Sequence, residues 1–295
     1  MYQTLDLRFL GYEEAIGCFL IETSAGPVLV ESGPYSTFGS LRDELARFKY
    51  QPQEVTAVFL THIHFDHAGA AWALAELGAT IYVHPFGAGH LNDPSKLVNS
   101  ATMIYGDQME VLWGDMRAIP AEKIHACQHN EAIQIGDKTF TALHTPGHAK
   151  HHIAWQLEKT LFTGDVAGVK IGGGPVVPPC PPPDINIADW NESIDLILSR
   201  DIQELVLTHF DAVTDIVTHM DALRHMLNDW AMWVRNRWEN GDSAEEITPK
   251  FVEYTNDQLR AYGVSNLGLE QYAAANPAWM SVAGLIRYWK KSLAE

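Results

Sequence analysis

The chain has 295 residues, 46% of them hydrophobic, which is enough for one large domain or a core with a small appendage, and nothing in the sequence suggests two full domains. Its 20 Lys and Arg against 37 Asp and Glu leave a net charge of −17, and without a basic stripe this argues against nucleic acid as a substrate. The three cysteines, Cys18, Cys127 and Cys180, are scattered and odd in number, so no disulfide framework is indicated. Met1 to Asp6 carries no basic segment followed by an apolar run, and no stretch approaches the roughly 20 apolar residues of a membrane span. The expected compartment is the cytoplasm, with no membrane partner.

In chain order, β-like runs over Leu5 to Phe9, Ile16 to Glu22 and Pro27 to Val30 open a sheet. Leu41, Leu45 and Phe48 have helical spacing within Ser40 to Phe48. Val55 to Leu60 then reads as a buried strand, Ala68 to Leu77 as a helix stopped at Gly78, and Thr80 to Val83 as a further strand. This alternation is the mark of an α/β layered fold. Between His84 and Ala126 the period weakens, and the reading is one helix with flanking loops. Tyr105, Met109, Trp113 and Met116 there either pack on the sheet or wall a substrate pocket.

Thr139 to Leu143 is a strand candidate ending before Thr145-Pro146-Gly147-His148, and Phe162-Thr163-Gly164-Asp165 closes another. The Gly- and Pro-rich segment 172–183 interrupts the series of candidate ligands, so it is expected to be an ordered rim loop and not a linker. Ile187 to Leu198 is a helix, and Leu205 to Thr208 is a strand with His209 at its end. Ile216, Met220, Leu223, Leu227, Trp230 and Val234 then mark a long amphipathic helix ending near Asn240-Gly241. Ser243 with Glu246 fits a capping box, and Asn276-Pro277 fits an N-cap with Pro at the first helical position before Trp279 to Leu293.

The chemistry concentrates in Thr61-His62-Ile63-His64-Phe65-Asp66-His67. Packed into a core, three imidazoles and a carboxylate would leave polar groups unsatisfied, whereas a divalent cation satisfies them together. In an extended turn His62 and His64 point to one side, while Asp66 and His67 enter a following helix and can face a second position. The other candidate ligands, His148, Asp165 and His209, each close a strand, where rigid elements can aim side chains at one point.

Through T-H-I-H-F-D-H, T-P-G-H, T-G-D and L-T-H-F, in that order over positions 61 to 209, the chain resembles the metallo-β-lactamase superfamily. The resemblance implies a four-layer αββα sandwich. It makes 1–213 the catalytic domain; the helical extension 214–295, which starts five residues after His209 and carries Trp230, Trp233, Trp238, Trp279 and Trp289, is expected from that position and composition to act as a cap or a dimer contact. The resemblance also implies that His62, His64 and His148 hold one metal, that Asp66, His67 and His209 hold a second, and that Asp165 bridges the two. Many relatives carry an aspartate before a glycine where this chain has Glu31-Ser32-Gly33. Glu31 either orients a ligand His or simply caps its turn.

The expected activity is that of a binuclear, zinc-loaded hydrolase in which a hydroxide between the metals attacks the carbonyl of a small ester, lactone or thioester. Iron or manganese would suit the same ligands. Asp66 would orient the nucleophile or shuttle a proton. A phosphodiesterase or organophosphate hydrolase would use the same metals, and a non-catalytic metal-binding protein is the alternative of a different class. An iron dioxygenase uses fewer ligands. His84, His90, His125, His129, His219 and His225 read as core or surface residues, while His144, His151 and His152 flank the His148 motif and could support it. Lys150 and Lys170 could attract an anionic group, although single loop lysines are usually solvated.

Overall fold

Strand residues alternate between two buried faces, and this alternation sets two sheets back to back. A computed structural model describes residues 1–293. The first sheet contains β1 (Tyr2–Asp6), β2 (Gly17–Thr23), β3 (Gly26–Val30), β4 (Ala57–Phe59), β5 (Thr80–Val83) and β6 (Ile124–Ala126), in that spatial order. The pairs from β1 to β3 are antiparallel and those from β3 to β6 parallel. The second sheet contains β7 (Ala132–Ile135), β8 (Lys138–His144), β9 (Ile153–Leu157), β10 (Thr160–Gly164), β11 (Glu204–Leu207) and β12 (Ala212–Val213), again as sequential neighbours. Only β10 and β11 pair in parallel there.

On β2, Phe19 and Ile21 face the other sheet while Cys18 and Leu20 face helices. On β10, Phe162 faces inward and Leu161 outward. Between the sheets Phe59 stacks on Phe140 with ring centroids 4.2 Å apart. Burying an aromatic of this size stabilises by roughly 1.5–3 kcal/mol. Two bonds cross at the end of β4: Trp155 Nε1 donates to Leu60 O at 2.9 Å, and Ile153 N donates to Thr61 O at 2.7 Å. The start of the histidine cluster is thus fastened to the second sheet.

Against the outer face of the first sheet pack α1 (Phe38–Arg47), α2 (Phe65–Ala68), α3 (Ala71–Glu76), α4 (Pro85–Asn92), α5 (Ser95–Tyr105) and α6 (Met109–Leu112). The second sheet is covered by α7 (Ile187–Leu198), α8 (Ile216–Glu239), α9 (Ala244–Ala261), α10 (Asn266–Ala275) and α11 (Ala278–Ser292). The order is helices, sheet, sheet, helices: the four-layer αββα sandwich. Leu223 and Leu227 of α8, Phe251 of α9 and Leu285 of α11 share one apolar cluster with Leu161 and Leu205 of the sheet. Among the described residues no helix is long and apolar enough to cross a membrane.

Several elements differ from the expectations. The first strand is Tyr2–Asp6, and Phe9–Gly11 forms a 3-10 turn in which Leu10 takes a positive φ of 54°. The region 84–126 is not one helix but α4, α5, α6 and β6, interrupted at Pro94 and at Gly106, whose φ is 52°. The expected helix Ala68 to Leu77 begins earlier and breaks between α2 and α3. Pro277 itself, not Asn276, is the N-cap of α11, because Asn276 closes α10 with its N–H on Tyr272 O. The capping box of Ser243 and Glu246 forms as expected.

The segment 172–183 is an ordered loop. Val169 and Val177 bridge across it, Asn276 Nδ2 donates to Pro178 O at 3.3 Å, and Cys180 N donates to Ser281 Oγ at 3.3 Å. The helices after β12 therefore hold the loop that borders the site.

Candidate metal centre

Beyond Thr61 the chain turns sharply. His64 keeps an extended backbone (φ −64°, ψ 154°) and caps α2, so that Asp66 and His67 lie on the first helical turn. The ends of β8, β10 and β11 bring His148, Asp165 and His209 to the same place. All seven predicted residues converge.

The donor atoms form two sets. His64 Nδ1 lies 2.9 Å from His62 Nε2 and 3.0 Å from His148 Nε2, and Asp165 Oδ2 is 3.2 Å from His148 Nε2. On the other side Asp66 Oδ2 is 3.5 Å from both His67 Nε2 and His209 Nε2. Asp165 Oδ1 is 3.3 Å from the same two nitrogens. One carboxylate therefore turns each of its oxygens toward a different set.

The outward nitrogens fix the tautomers. His148 Nδ1 donates to Pro179 O at 2.8 Å and His209 Nδ1 to Ala15 O at 2.7 Å, while His67 Nδ1 meets Glu31 Oε1 at 2.8 Å and His62 Nδ1 meets Thr61 Oγ1 at 3.0 Å. With those positions protonated, the inner nitrogens present lone pairs to the centre. His67 Nε2, His209 Nε2 and Asp165 Oδ1 are buried without a hydrogen-bond partner. Such crowding of lone pairs is costly in a core and is relieved by cations, so the residues fit divalent metal.

Without a cation the two sets titrate in opposite directions. Burial, reinforced by the neighbouring His67, holds His62 well below the ordinary histidine range, and burial with His148 pushes His64 down to about 3. For His209, burial works downward but the charge of Asp165 outweighs it, raising the ring to about 9. Asp66 stays ionised far below the usual carboxylate range: burial opposes this, and the charge of His67 prevails.

Glu31, left between two roles by the sequence, is fully buried and holds four donors. Its carboxylate accepts from Thr61 N at 3.2 Å, Thr61 Oγ1, Thr208 Oγ1 at 3.2 Å and the His67 ring. Its φ of 67° is strained for a side chain of this size, a cost that the surrounding bonds sustain. His152 acts similarly: its Nε2 accepts from Asp165 N at 3.2 Å while Nδ1 meets Thr145 Oγ1 at 2.8 Å. His144 does not join them, since its Nε2 binds Cys127 O and its ring packs on His84. His151 lines the adjoining cavity, its Nδ1 buried and unpartnered, and His90, read as a bland residue, lines it too.

That cavity, about 730 Å³, opens beside His64, Asp66 and Asp165, and Tyr105 and Trp113 belong to its wall. Lys150 and Lys170 are paired with Asp184 and Asp211 at 3.4 and 3.5 Å. A further group, His125, Cys127 and Glu131, also has its donor atoms close together. There His125 and Glu131 already pair at 2.6 Å, and burial pushes the Cys127 thiol up to about 12, far from a ready thiolate ligand.

The family model of the metallo-beta-lactamase superfamily matches residues 12–209. A metallo-beta-lactamase fold-containing protein of Sulfurisphaera tokodaii is 33% identical over 207 residues, which are 69% of this chain and 77% of that protein. An acyl-coenzyme A thioesterase of Bos taurus is 29% identical over 157 residues, 50% of this chain and only 53% of the thioesterase. The solved structure of a metallo-beta-lactamase family protein from Thermus thermophilus superposes with a TM-score of 0.70 at 19% identity, covering 99% of this chain and 94% of that one. With the fold, the His/Asp cluster and the matched segment in agreement, the chain belongs to the metallo-beta-lactamase superfamily and is a metal-dependent hydrolase.

Proposed function

We propose that this protein is a binuclear hydrolase, loaded with zinc, that cleaves a carboxylic ester, lactone or thioester. The observation that carries the reading is Asp165, whose two oxygens face two separate donor sets 3.2 and 3.3 Å away. His62, His64 and His148 would hold one cation and Asp66, His67 and His209 the other, with Asp165 shared. Cations so held would supply a water of lowered pKa and polarisation of the scissile carbonyl. Asp66 borders both the donor set and the cavity, which suits it to orient the attacking water and take its proton. His152 and Glu31 keep Asp165 and His67 in place. The relative that cleaves a thioester, by its name, supports a carbonyl over a phosphoryl target.

The test combines elemental analysis of the purified protein with rates on carboxylic esters, lactones, thioesters and phosphoesters. Zinc and turnover of a carbonyl substrate are expected. Faster phosphodiester cleavage, or metal binding without turnover of any class, would replace this reading.

A further inference from the structure

Beyond Ile63 to Asp66 and Asp165, most of the cavity wall comes from segments remote from the donor motifs. Leu97, Ala101 and Tyr105 of α5 form one side, and Ala274, Trp279 and Met280 of α10 and α11 form the other. The two sides touch: the Tyr105 and Trp279 rings lie 5.9 Å apart, and Tyr105 Oη is 3.9 Å from Met280 Sδ. At the mouth stand large apolar residues left substantially in solvent, Leu10 at 47%, Ile104 at 43% and Trp279 at 39% exposure. Leu10 is held there by a strained positive φ of 54°. Exposed apolar side chains gathered around one opening mark a binding surface, and a cavity of about 730 Å³ has the size of a small-ligand site.

Charge sharpens the assignment. Apart from Asp66 and Asp165, which belong to the donor sets and whose charge the cations would offset, the described residues lining the cavity carry one Lys, Lys96, against Asp184, and no Arg. The chain as a whole carries −17. A leaving group bearing several phosphates would find no cluster of cations and would approach against the overall field.

Resting on the carbonyl-hydrolase reading above, we propose that the substrate carries a long apolar acyl chain, seated between α5 and the α10–α11 pair, and an uncharged leaving group. The carbonyl then lies at the polar end beside Asp66, and the chain runs toward Trp279 and Met280. The helices after β12 thereby set the acyl preference, a role for the 214–295 segment as a cap over the cleft.

The experiment uses the full-length, metal-replete protein and S-acyl N-acetylcysteamine thioesters from acetyl to dodecanoyl, beside coenzyme A thioesters of the same acyl groups. Expected is a rise in kcat/KM of roughly fourfold per added methylene until the cavity is filled, with the uncharged leaving group preferred. Ala101→Trp, which fills the cavity, and Trp279→Ser, which removes part of its rim, should each lower the ratio of decanoyl to acetyl rates, the former by roughly tenfold or more. A readout without turnover is binding of the uncleavable methyl undecyl ketone, followed by tryptophan fluorescence, which should be far tighter than binding of methyl propyl ketone. Acetyl thioesters cleaved with no dependence on chain length, and no ketone binding, would overturn the acyl assignment while leaving the hydrolase intact. Ketone binding without cleavage of any thioester, carboxylic ester or lactone would leave the apolar site standing and overturn the hydrolase reading instead. A preference for the coenzyme A esters would overturn the uncharged leaving group.

Discussion

Glu31 Oε1 lies 2.8 Å from Nδ1 of His67, both side chains having no exposed surface. The contact forces the His67 proton outward and turns Nε2 to the centre. Replacing Glu31 by Gln should reduce metal affinity or activity by roughly 10–100-fold, the usual cost of removing a residue that orients a ligand. Asp165→Ala should cost more, because it removes an oxygen from each donor set. Rates are compared at matched metal occupancy, and equal losses would show that Asp165 does not bridge.

The two donor sets predict about two metal equivalents per chain after dialysis against trace zinc. His209→Ala takes a nitrogen from the set of Asp66 and His67 and leaves the His62, His64 and His148 set whole. Titration with elemental analysis should then find one tight equivalent and one weakened one. A wild-type protein that saturates at one equivalent, unchanged in His209→Ala, contradicts a binuclear centre.

Acid stability can be probed away from the metals. His84 caps α4 by accepting from Phe86 N at 3.1 Å, and burial, then the adjacent His144, lowers it to about 4. The unfolded chain binds this proton near the ordinary value of 6.5. The folded state therefore keeps its advantage above 6.5 and loses it as pH falls through about 4. His84→Asn retains a capping acceptor without that proton uptake, so its stability relative to wild type should rise as the solution is acidified over this interval. A constant difference across the range, read from denaturant melts, would refute the linkage.

The donor cluster was legible because its residues are consecutive, and the order of the later motifs named the partners. What supports it was less so. Glu31 depends on a left-handed backbone and on Thr208, 177 residues away, neither of which leaves a mark beside it in sequence. His144 and His152 look alike in the chain, yet they sit at different ends of the turn, and only His152 faces the backbone of Asp165. The break of the 84–126 region was readable in Asp93-Pro94-Ser95, since a residue before proline is driven from the helical region. Of the cavity, Tyr105 and Trp113 were legible as one of two readings of the 84–126 region, but which residues face them was not, since Tyr105 and Met280 are 175 positions apart.

The last prediction concerns the contact of α11 with the proline loop. A Cβ on Gly284 would land against the carbonyl oxygen of Cys180 and 2.8 Å from Pro181 C, both backbone atoms that cannot swing aside. Here glycine is required for close approach. Gly284→Ala should destabilise by about 1–3 kcal/mol, the cost of overpacking, although alanine is the better helix former. Because Pro181 to Pro183 line the cavity, KM for the decanoyl thioester should also rise. Gly89 in α4 provides the opposite sign: nothing lies within 4 Å of its Cβ position, so Gly89→Ala should stabilise by about 0.5–1 kcal/mol. Denaturant melts that ranked the two variants the other way would mean that α11 does not press on the loop, and the cavity wall would have to be drawn differently.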